Sequence, residues 1–539
     1  MKDSMLSFDS VHYPYASRRN VVYANRGMVA TSQPLAAQAG LQVLQAGGNA
    51  IDAAIATAAA LTVVEPCSNG IGGDAFALIW HEGKLHGLNA SGPAPRTLTL
   101  EKLSTQGLTE MPKYGPLPVT VPGAPAAWAA LAKRFGRLPL RTSMARAIEL
   151  ARDGFPVSPT IAFAWQQAAQ TFRVQLRAAH FKSWFDTFAP ERAPNAGEIW
   201  RSGAHAETLQ SIADSNASSF YSGPLAERIA AFVQSAGGYL QADDLAAYQV
   251  EWCDPISVNY RGYDVWEIPP NGHGLVALIA LNILKGFDFS ERDTVLTQHR
   301  QIEAIKLAFA DGLAHIADPG SMRVSVADLL SQPYADERRK LIGTRATRPV
   351  PGEPTRGGTV YLSTADLEGN MVSLIQSNYM GFGSGLVVPG TGIALQNRGN
   401  NFSMKAGHPN CVAPGKRPYH TIIPGFLTKG GKPIGPFGVM GGFMQPQGHV
   451  QMVMNSIDFG LNPQAALDAP RWEWLSGNQV NIERATAEHL FHGLAALGHE
   501  VSWSGNRIAF GRGQIIWRNA DGVLCGGTEP RADGMIAAW

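Results

Sequence analysis

Apolar and polar residues alternate most regularly about two-thirds of the way along the chain. Thr359–Ala365 alternates as a half-buried strand does, a turn follows at 366–370, and Met371–Gln376 returns as a second strand, which together predict a β-hairpin. The stretch 345–358 before it is rich in proline and glycine and predicts an exposed loop, the clearest internal boundary in the sequence. A loop therefore leads directly into a strand whose first residue is a threonine.

The first part of the chain carries mainly helical patterns. Ser32, followed by Pro34, is expected to cap a helix that ends at Gly47, and Asn49 is expected to cap a second helix. The second helix consists mostly of small residues, which predicts close packing in the interior. The other predicted elements are strands at Met28–Ser32 and Tyr260–Pro269, a hairpin of Ala75–Trp80 with Leu85–Asn89, and helices at Ala50–Leu61, Pro125–Phe135, Met144–Asp153, Gly274–Leu284 and Gln298–Ala310.

The composition is typical of a globular protein that mixes helices and sheets. Of 539 residues, 45% are hydrophobic and 58 are glycine, and 44 basic residues balance 43 acidic ones. Nucleic-acid and membrane-surface partners favour a clustered basic excess, so neither is expected. No stretch is long and apolar enough to predict a membrane-spanning helix, and the N-terminal residues lack an apolar signal core. The cytoplasm is the expected location.

Neither the cysteines nor the histidines show the spacing of metal ligands. Cys67, Cys253, Cys411 and Cys525 are far apart and form no Cys-x-x-Cys pair, so we interpret them as free thiols. The glycine cluster at 69–74 lacks the lysine of a phosphate-binding loop. No cofactor and no metal is therefore expected.

The threonine that begins the predicted hairpin gains a chemical use if the chain is cut before it. Its freed α-amine can then act as the base for its own hydroxyl, a recognised way to activate a nucleophile. Gly357 and Gly358 precede Thr359 and allow the distorted backbone that attack on the preceding carbonyl requires. A threonine that starts a strand after a loop is also common, so the local sequence leaves both interpretations open.

Four separated blocks resemble the γ-glutamyltranspeptidase family of N-terminal-nucleophile hydrolases. They are 47–54 with Gly72-Gly73 after it, Thr359–Asn370, Lys416-Arg417-Pro418 with Pro424, and Gly441-Gly442. The blocks follow the family's order and span nearly the whole chain. The resemblance implies an α+β fold, a four-layer αββα sandwich, built jointly by a large chain (1–358) and a small chain (359–539) that are cut from one precursor.

The resemblance also implies roles for individual residues. Thr359 is the residue before which the precursor is cut, after Gly358, and it is the nucleophile of the mature enzyme. Gly441 and Gly442 fall where backbone N–H groups form the family's oxyanion hole, which stabilises a tetrahedral intermediate. Ser377 falls where the family has a threonine that hydrogen-bonds the nucleophile. The implied partners are a small-molecule amide substrate and the two cleaved chains, with a homodimer of the processed unit as a further option.

The positions that hold the substrate in the family differ here. Family members that act on γ-glutamyl compounds bind the α-carboxylate and α-amine with an arginine, an acidic pair and a serine pair. The corresponding positions, with that of an asparagine after the hairpin, carry Ala90, Asn400-Asn401, His420-Thr421 and Tyr379. Neutral amides cannot supply the negative charge that an ammonium group favours, and loss of the arginine removes a bidentate carboxylate clamp. The usual mode of γ-glutamyl binding is therefore not expected.

Five remaining polar side chains are candidates for binding a different ligand. All are donors that suit a small anion without an ammonium group: Tyr379, Arg398, Asn401, His420 and Thr421. The connection from Asn401 to Lys416 is short, which predicts an open pocket. This pattern resembles the branch of the family that hydrolyses oxamate to oxalate and ammonia, so oxamate is the leading substrate hypothesis. Glutathione or another γ-glutamyl compound is the alternative within the same chemistry, and an unprocessed, non-catalytic binding protein is the alternative of another class.

Overall fold

The computed structural model describes residues 6, 9, 12, 14–17, 19–349 and 358–539. The loop predicted at 345–358 is therefore described only in part, and Gly357 lies outside the described residues. Within the described chain, two large antiparallel sheets lie between layers of helices. The position of these sheets determines where the candidate site lies.

The first large sheet has seven strands in the described chain, and every neighbouring pair is antiparallel. In spatial order they are β1 (Val22–Ala24), β18 (Leu524–Thr528), β17 (Arg512–Arg518), β13 (Lys432–Met440), β12 (Gly425–Lys429), β9 (Tyr263–Glu267) and β8 (Ile256–Tyr260).

The second large sheet also has seven described strands, again all antiparallel. They are β19 (Met535–Ala538), β2 (Gly27–Thr31), β10 (Gly358–Asp366), β11 (Met371–Tyr379), β3 (Asp74–His81), β4 (Lys84–Ala90) and β7 (Glu251–Cys253). The predicted threonine-led hairpin is thus confirmed as β10 and β11, near the centre of this sheet. The smaller sheets are β14 (Trp472–Ser476) with β15 (Gln479–Glu483) and β16 (Glu500–Ser504), and β5 (Phe155–Pro156) with β6 (Ile199–Trp200).

Helices flank both large sheets. Those in the first half are α1 (Pro34–Gln45), α2 (Ala50–Val64), α3 (Leu100–Thr105), α4 (Ala124–Phe135), α5 (Leu140–Asp153), α6 (Pro159–Gln175), α7 (Lys182–Phe188), α8 (Gly203–Asp214), α9 (Ser218–Tyr221), α10 (Pro224–Ser235) and α11 (Ala242–Ala246). Those in the second half are α12 (Gly274–Leu284), α13 (Val295–His315), α14 (Val326–Leu329), α15 (Gln332–Lys340), α16 (Met444–Ile457), α17 (Pro463–Asp468) and α18 (Glu488–Ala496). Among the described helices, none combines the length and the apolar character that a bilayer crossing requires.

The four layers of the predicted αββα sandwich are present. Helices α1 and α2 pack on the second sheet, and α12, α16 and α17 pack on the first. The other faces of the sheets meet each other: a Cβ on Gly438 of β13 would lie 2.5 Å from the ring of Tyr361 in β10, so glycine permits this close approach. The prediction of the fold class is confirmed. Both sheets take strands from before and after residue 359.

The predicted cap of α2 is confirmed and that of α1 is wrong. The Asn49 side chain accepts two N–H groups at the start of α2, and Asp52 accepts the Asn49 N–H, which completes a capping box. At α1 the capping oxygen comes from Gln33, because the Ser32 hydroxyl donates instead to the buried carboxylate of Glu65.

The strand predicted at Tyr260–Pro269 is confirmed in part, as β9 (Tyr263–Glu267), because a hairpin turn interrupts the start of the predicted range. Arg261 and Gly262 adopt φ angles of 51° and 83°, and they turn the chain between β8 and β9. Two consecutive residues with positive φ make the tight turn that suits the twist of antiparallel strands. Arginine is not a residue type that indicates positive φ, so the sequence did not predict a turn at Arg261.

Candidate active site

Thr359 lies at the start of the central hairpin, where the ladder between β10 and β11 is irregular. The register shifts between Gly358 and Val360, which leaves Thr359 at a bulge. Thr359 Oγ1 donates a hydrogen bond to Ser377 Oγ at 3.1 Å, and both side chains are buried. The structure thus brings together the candidate nucleophile and the residue predicted to hold it.

Ser377 is held in turn by the backbone that follows it. Its Oγ accepts the Tyr379 N–H at 2.7 Å, and Tyr379 has a φ of 75°. A tyrosine in this left-handed conformation is strained, and strain of this kind persists where the surrounding structure enforces it, often at functional sites. Tyr379 is fully buried, and its ring centroid lies 4.4 Å from the guanidinium of Arg398. The ring therefore supports the candidate anion-binding arginine.

Gly441 and Gly442 form the turn between β13 and α16. Their φ angles are 142° and 60°, which favour glycine. Their carbonyls accept hydrogen bonds from the first turn of α16, whereas in the described chain their N–H groups donate to no protein acceptor. Two backbone donors at a helix N-terminus are therefore available to a developing negative charge.

The packing of the two sheets directs the end of β13, and so this turn, toward the start of β10. A Cβ on Gly435 would contact the first residue of β11, and a Cβ on Gly438 would contact the ring of Tyr361. Strand β13 therefore crosses the hairpin from the turn between β10 and β11 toward the start of β10. Because β13 ends at Met440, the turn at Gly441 follows this strand beyond Tyr361, in the direction of the start of β10.

Arg398 is the strongest candidate for binding an anion. It begins a single 3-10 turn, Arg398–Asn401, and its side chain is fully buried. Nη1 donates to Thr421 Oγ1 at 2.6 Å, but among the described residues Nε and Nη2 have no hydrogen-bond partner. Burial lowers the pKa of Arg398 to about 10, so the side chain stays charged at neutral pH. A buried guanidinium with free donors matches the geometry of a carboxylate.

Asp74, the first residue of β3, is a buried carboxylate near this arginine. Its Oδ2 accepts His420 Nε2 at 2.9 Å, and its Oδ1 accepts Gln396 Nε2 at 2.7 Å and the Gly92 N–H at 3.2 Å. Burial raises the pKa of Asp74 to about 7, although the positive charge of Arg398 acts in the opposite direction. Asp74 also pairs with Ser377 across the sheet, so the carboxylate belongs to the surroundings of Thr359.

His420 is fully buried, and both of its ring nitrogens are engaged within the protein. Nε2 donates to Asp74, and Nδ1 accepts the Ile422 N–H at 3.3 Å. Burial lowers the pKa of His420 well below its ordinary value, so the ring is neutral. His420 and Thr421 were both predicted to donate to a ligand. In the structure His420 holds Asp74, whereas the Thr421 hydroxyl accepts from Arg398 and keeps its own hydrogen for donation.

Asn401 lies at the wall of a cavity of about 670 Å³. Its Nδ2 donates to the Tyr419 carbonyl at 3.0 Å. Phe443, which directly follows the Gly441-Gly442 turn, also lines the cavity, so the cavity adjoins that turn. Cavities of this size accommodate ligands much larger than a two-carbon acid. Apolar and aromatic side chains in its wall include Met111, Tyr114, Leu313, Phe402, Tyr419 and Phe443.

Two of these aromatic rings are stacked. The centroids of Tyr419 and Phe443 are 5.8 Å apart with an interplanar angle of 11°, and His273 packs edge-on against both rings. His273 Nδ1 lies 3.2 Å from the Tyr419 hydroxyl. The pair therefore forms a fixed aromatic wall beside the turn with the two free N–H groups.

Comparison with known proteins decides the family. The family model described as gamma-glutamyltranspeptidase matches residues 36–539. The chain belongs to the γ-glutamyltranspeptidase family. Two relatives match nearly end to end: the glutathione hydrolase-like YwrD proenzyme of Bacillus subtilis (36% identity over 525 residues, 95% of this chain and 98% of the relative) and the oxamate amidohydrolase proenzyme of Klebsiella pneumoniae (35% over 534 residues, 96% and 99%). The crystal structure of cephalosporin acylase from Bacillus halodurans is 63% identical, with a TM-score of 0.95 and 99% of both chains covered.

Membership of the γ-glutamyltranspeptidase family confirms the predicted enzyme class. Its proenzymes are N-terminal-nucleophile hydrolases that process themselves and act on amide bonds. Three of the four sequence blocks that carried the resemblance lie on elements named above: 47–54 includes the start of α2, which packs on β10 and β11, Thr359–Asn370 contains most of β10, and Gly441-Gly442 forms the turn after β13. The identity of the substrate is a separate question that depends on the side chains around Arg398.

Several residues of the candidate site were not predicted from the sequence. They are Asp74, Gln396, His273, Tyr419 and Phe443. Asp74 could have been predicted from its sequence context, because it is the first residue of a largely apolar strand and directly follows two glycines. A carboxylate at the start of a buried strand needs a partner in the protein. The others offered no such signal, because their partners come from distant parts of the chain.

One cluster outside the site has residues of metal-ligand type. His299, Glu303 and His499 lie close together and are buried. Lys306 Nζ donates to Glu303 Oε1 at 2.7 Å and lies 3.5 Å from His499 Nδ1. We interpret the cluster as a buried ion pair, because an ammonium group already neutralises the carboxylate.

Proposed function

We propose that this chain is a self-processing threonine amidohydrolase for amides whose acyl group carries a carboxylate and no ammonium group. Oxamate is the smallest such substrate, and amides of glutaric acid are larger ones. The observation that carries the proposal is the buried guanidinium of Arg398 with free Nε and Nη2 donors. A substrate carboxylate would satisfy both donors and neutralise the buried charge.

Processing begins with attack of the Thr359 hydroxyl on the carbonyl carbon of Gly358. The peptide C–N bond breaks as the C–O bond forms, which gives an ester, and water then releases a small chain that starts with Thr359. The freed α-amine becomes the base for later turnovers. The bulge at Thr359 and the hydrogen bond to Ser377 support this step, because they hold the hydroxyl in one orientation.

In each turnover, Thr359 Oγ attacks the amide carbon of the substrate while the α-amine takes the hydroxyl proton. The N–H groups of Gly441 and Gly442 stabilise the oxyanion, with help from the N-terminus of α16 that follows them. The proton passes to the leaving amine or ammonia. Water then hydrolyses the acyl-enzyme and restores the free threonine.

The charges around the site favour a plain carboxylate over an amino-acid head group. Asp74 is the carboxylate that lies beside Arg398, and its oxygens already accept hydrogen bonds from His420 and Gln396. Asn401 is neutral. An α-ammonium group placed beside Arg398 would therefore be repelled by the guanidinium without gaining a free carboxylate partner.

The cavity beside Phe443 supports amides that are larger than oxamate. Its volume of about 670 Å³ leaves room for a bulky acyl chain or leaving group. The relative with 63% identity is named for removing an acyl group from a cephalosporin, and a relative with 35% identity is named for hydrolysing oxamate. Both names support an enzyme for anionic or bulky amides within the proposed class.

A gel of purified full-length protein tests the processing step. Wild type should separate into two chains, N-terminal sequencing of the smaller chain should begin with Thr359, and Thr359→Ala should stay full length. Ser363→Ala, which changes another hydroxyl of the same strand, should cleave normally. A wild-type chain that stays intact under all conditions would instead support the non-catalytic binding protein.

A matched pair of chromogenic substrates tests the acyl specificity. Glutaryl-p-nitroanilide and γ-glutamyl-p-nitroanilide differ only by the α-ammonium group. We expect kcat/KM to be at least about tenfold higher for the glutaryl compound, a difference of about 1.4 kcal/mol. Ammonia release from oxamate measures the smallest member of the class. Faster turnover of the γ-glutamyl compound would favour the alternative, a glutathione hydrolase or γ-glutamyltransferase.

A further inference from the structure

Asp74 and Arg398 are linked by two short bridges. On one side, Gln396 donates to Asp74 Oδ1 and lies two residues before Arg398. On the other side, His420 contacts Asp74 Oδ2, and the next residue, Thr421, accepts from Arg398 Nη1. The bridges hold the two opposite charges near each other. The Asp74 oxygens accept hydrogen bonds from neutral donors, and Arg398 Nε and Nη2 have no partner among the described residues.

We propose that Asp74 is a built-in counter-anion for Arg398, and that the Asp74–His420 pair takes up a proton when a substrate carboxylate binds the arginine. The proposal rests on the proposed function in one respect, which is that the ligand of Arg398 is a carboxylate. It assigns Asp74 as a positioning residue, since the aspartate reaches the substrate only through the arginine.

The physical reason is the balance of charge in a buried site. A buried guanidinium is destabilised without a nearby negative charge, and Asp74 provides that charge while the site is empty. When a substrate carboxylate arrives, two anions share one cation, and the aspartate is the anion that can become neutral by taking a proton from solvent. No bond other than that to the proton is made or broken.

Among the described titratable groups around Asp74 and Arg398, Asp74 is the one whose pKa lies near neutral pH. The titratable side chains that face this pair of charges come from several elements: Tyr221, Tyr248, His273, Tyr379, Arg398 and His420. Burial raises the pKa values of the tyrosines at 221 and 248 far above neutrality, and it lowers those of His273 and His420 well below it. Burial raises the pKa of Asp74 to about 7. A second negative charge at Arg398 would raise it further.

Calorimetry on the processed wild-type enzyme tests the proposal without a mutation. Glutarate serves as the probe, because it has the carboxylate and no scissile amide. Titrations in buffers of different ionisation enthalpy give the number of protons taken up per bound anion. We expect about half a proton at pH 7 and close to one proton at pH 8, with affinity falling up to about tenfold per pH unit above pH 7.

Asp74→Asn gives a second, independent readout. The variant should bind glutarate without proton uptake, and at pH 8 its affinity should exceed that of wild type by about tenfold, because the competing charge is gone. Asp458→Asn is the matched control. The Asp458 side chain is also nearly covered and its pKa is also raised by burial, but it pairs with Tyr260 and Arg261. The control should keep the proton uptake of wild type.

The outcomes separate this proposal from the proposed function. Glutarate binding without proton uptake between pH 6 and pH 8.5 would overturn the counter-anion proposal and leave the substrate class intact. Proton uptake that persists in Asp74→Asn would overturn it as well. If neither glutarate nor oxamate binds at any pH, the carboxylate specificity and the counter-anion proposal are both wrong. Processing at Thr359 is then judged by the gel alone.

Discussion

The hydroxyl of Thr359 donates a hydrogen bond to the hydroxyl of Ser377 at 3.1 Å, across the irregular first step of the central hairpin. Ser377 therefore fixes the direction of the Thr359 hydroxyl. Because Ser377 also accepts the Tyr379 N–H, the same oxygen fixes the strained backbone that carries the ring under Arg398. One buried hydroxyl thus connects the candidate nucleophile with the candidate anion site.

Ser377→Ala should reduce kcat by about tenfold with a small change in KM, because the nucleophile loses its orienting partner, a loss of about 1.4 kcal/mol in the transition state. Steady-state kinetics on the processed enzyme measures this. Ser373→Ala is the control, since Ser373 lies on the same strand and its hydroxyl forms a hydrogen bond with the hydroxyl of Tyr361. Equal kcat values for the two variants would argue against an orienting role.

Arg398→Met should lower kcat/KM for glutaryl-p-nitroanilide by roughly 10- to 100-fold, the range for losing a charge-assisted hydrogen bond at a buried site. The effect should appear mainly in KM. Butyryl-p-nitroanilide, which lacks the carboxylate, provides the comparison within each protein and should lose little. If both substrates lose activity in parallel, Arg398 supports the fold of the site and does not recognise the carboxylate.

Gly441→Ala should lower kcat by roughly 100-fold or more, the magnitude seen when an oxyanion donor is misplaced. A Cβ at Gly441, where φ is 142°, would lie 3.2 Å from Gly511 Cα, so the turn must move. Gly430→Ala is the control, because Gly430 has a φ of 56° in open space. That variant should lose some thermal stability and keep its kcat. Full activity in Gly441→Ala would exclude this turn as the oxyanion hole.

Met404→Trp should discriminate between large and small substrates. Met404 lines the cavity of about 670 Å³ and is partly exposed, so a larger ring there can fill space without entering the core. We expect kcat/KM for glutaryl-p-nitroanilide to fall several-fold, while ammonia release from oxamate stays unchanged. Equal losses for both substrates would indicate that the cavity does not hold the larger amide.

Asp74→Asn should change how thermal stability depends on pH. Folding raises the pKa of Asp74 from 3.8 to about 7, so the folded state binds this proton more tightly than the unfolded state does. The associated stability is present below pH 4 and is lost as pH rises to about 7, by at most about 1.4 kcal/mol per unit. Relative to wild type, the variant should gain in Tm from pH 5 to pH 8. Parallel Tm curves would contradict the raised pKa.

The start of α2 and the central hairpin were predictable because local signals specify them, whereas the fold class and the nucleophilic role of Thr359 were inferred from resemblance to a family. Asn49 and Asp52 encode the start of α2 through a capping box, and the alternating pattern from Thr359 encodes the central hairpin. These features depend on residues that are close in sequence. The turn at Gly441 was found only through resemblance to a family, since two glycines alone do not indicate free N–H groups.

The anion site was only partly predictable, because it is assembled from distant segments. Arg398 was found as a donor, but Asp74 and His420 are 346 positions apart, and nothing in either segment indicates that they meet. The direct donor role expected for His420 assumed a free side chain. Burial changed this, because polar groups without solvent take protein partners first.

The interleaving of strands has a consequence for the cleaved molecule. In the second sheet, β10 and β11 lie between β2 and β3, which come from the part of the chain before residue 359. A cut before Thr359 removes one covalent bond and leaves every ladder intact. Dilution alone should therefore never separate the two polypeptides. Unfolding would remain a single first-order event, whereas refolding would become bimolecular and slow down as the protein is diluted.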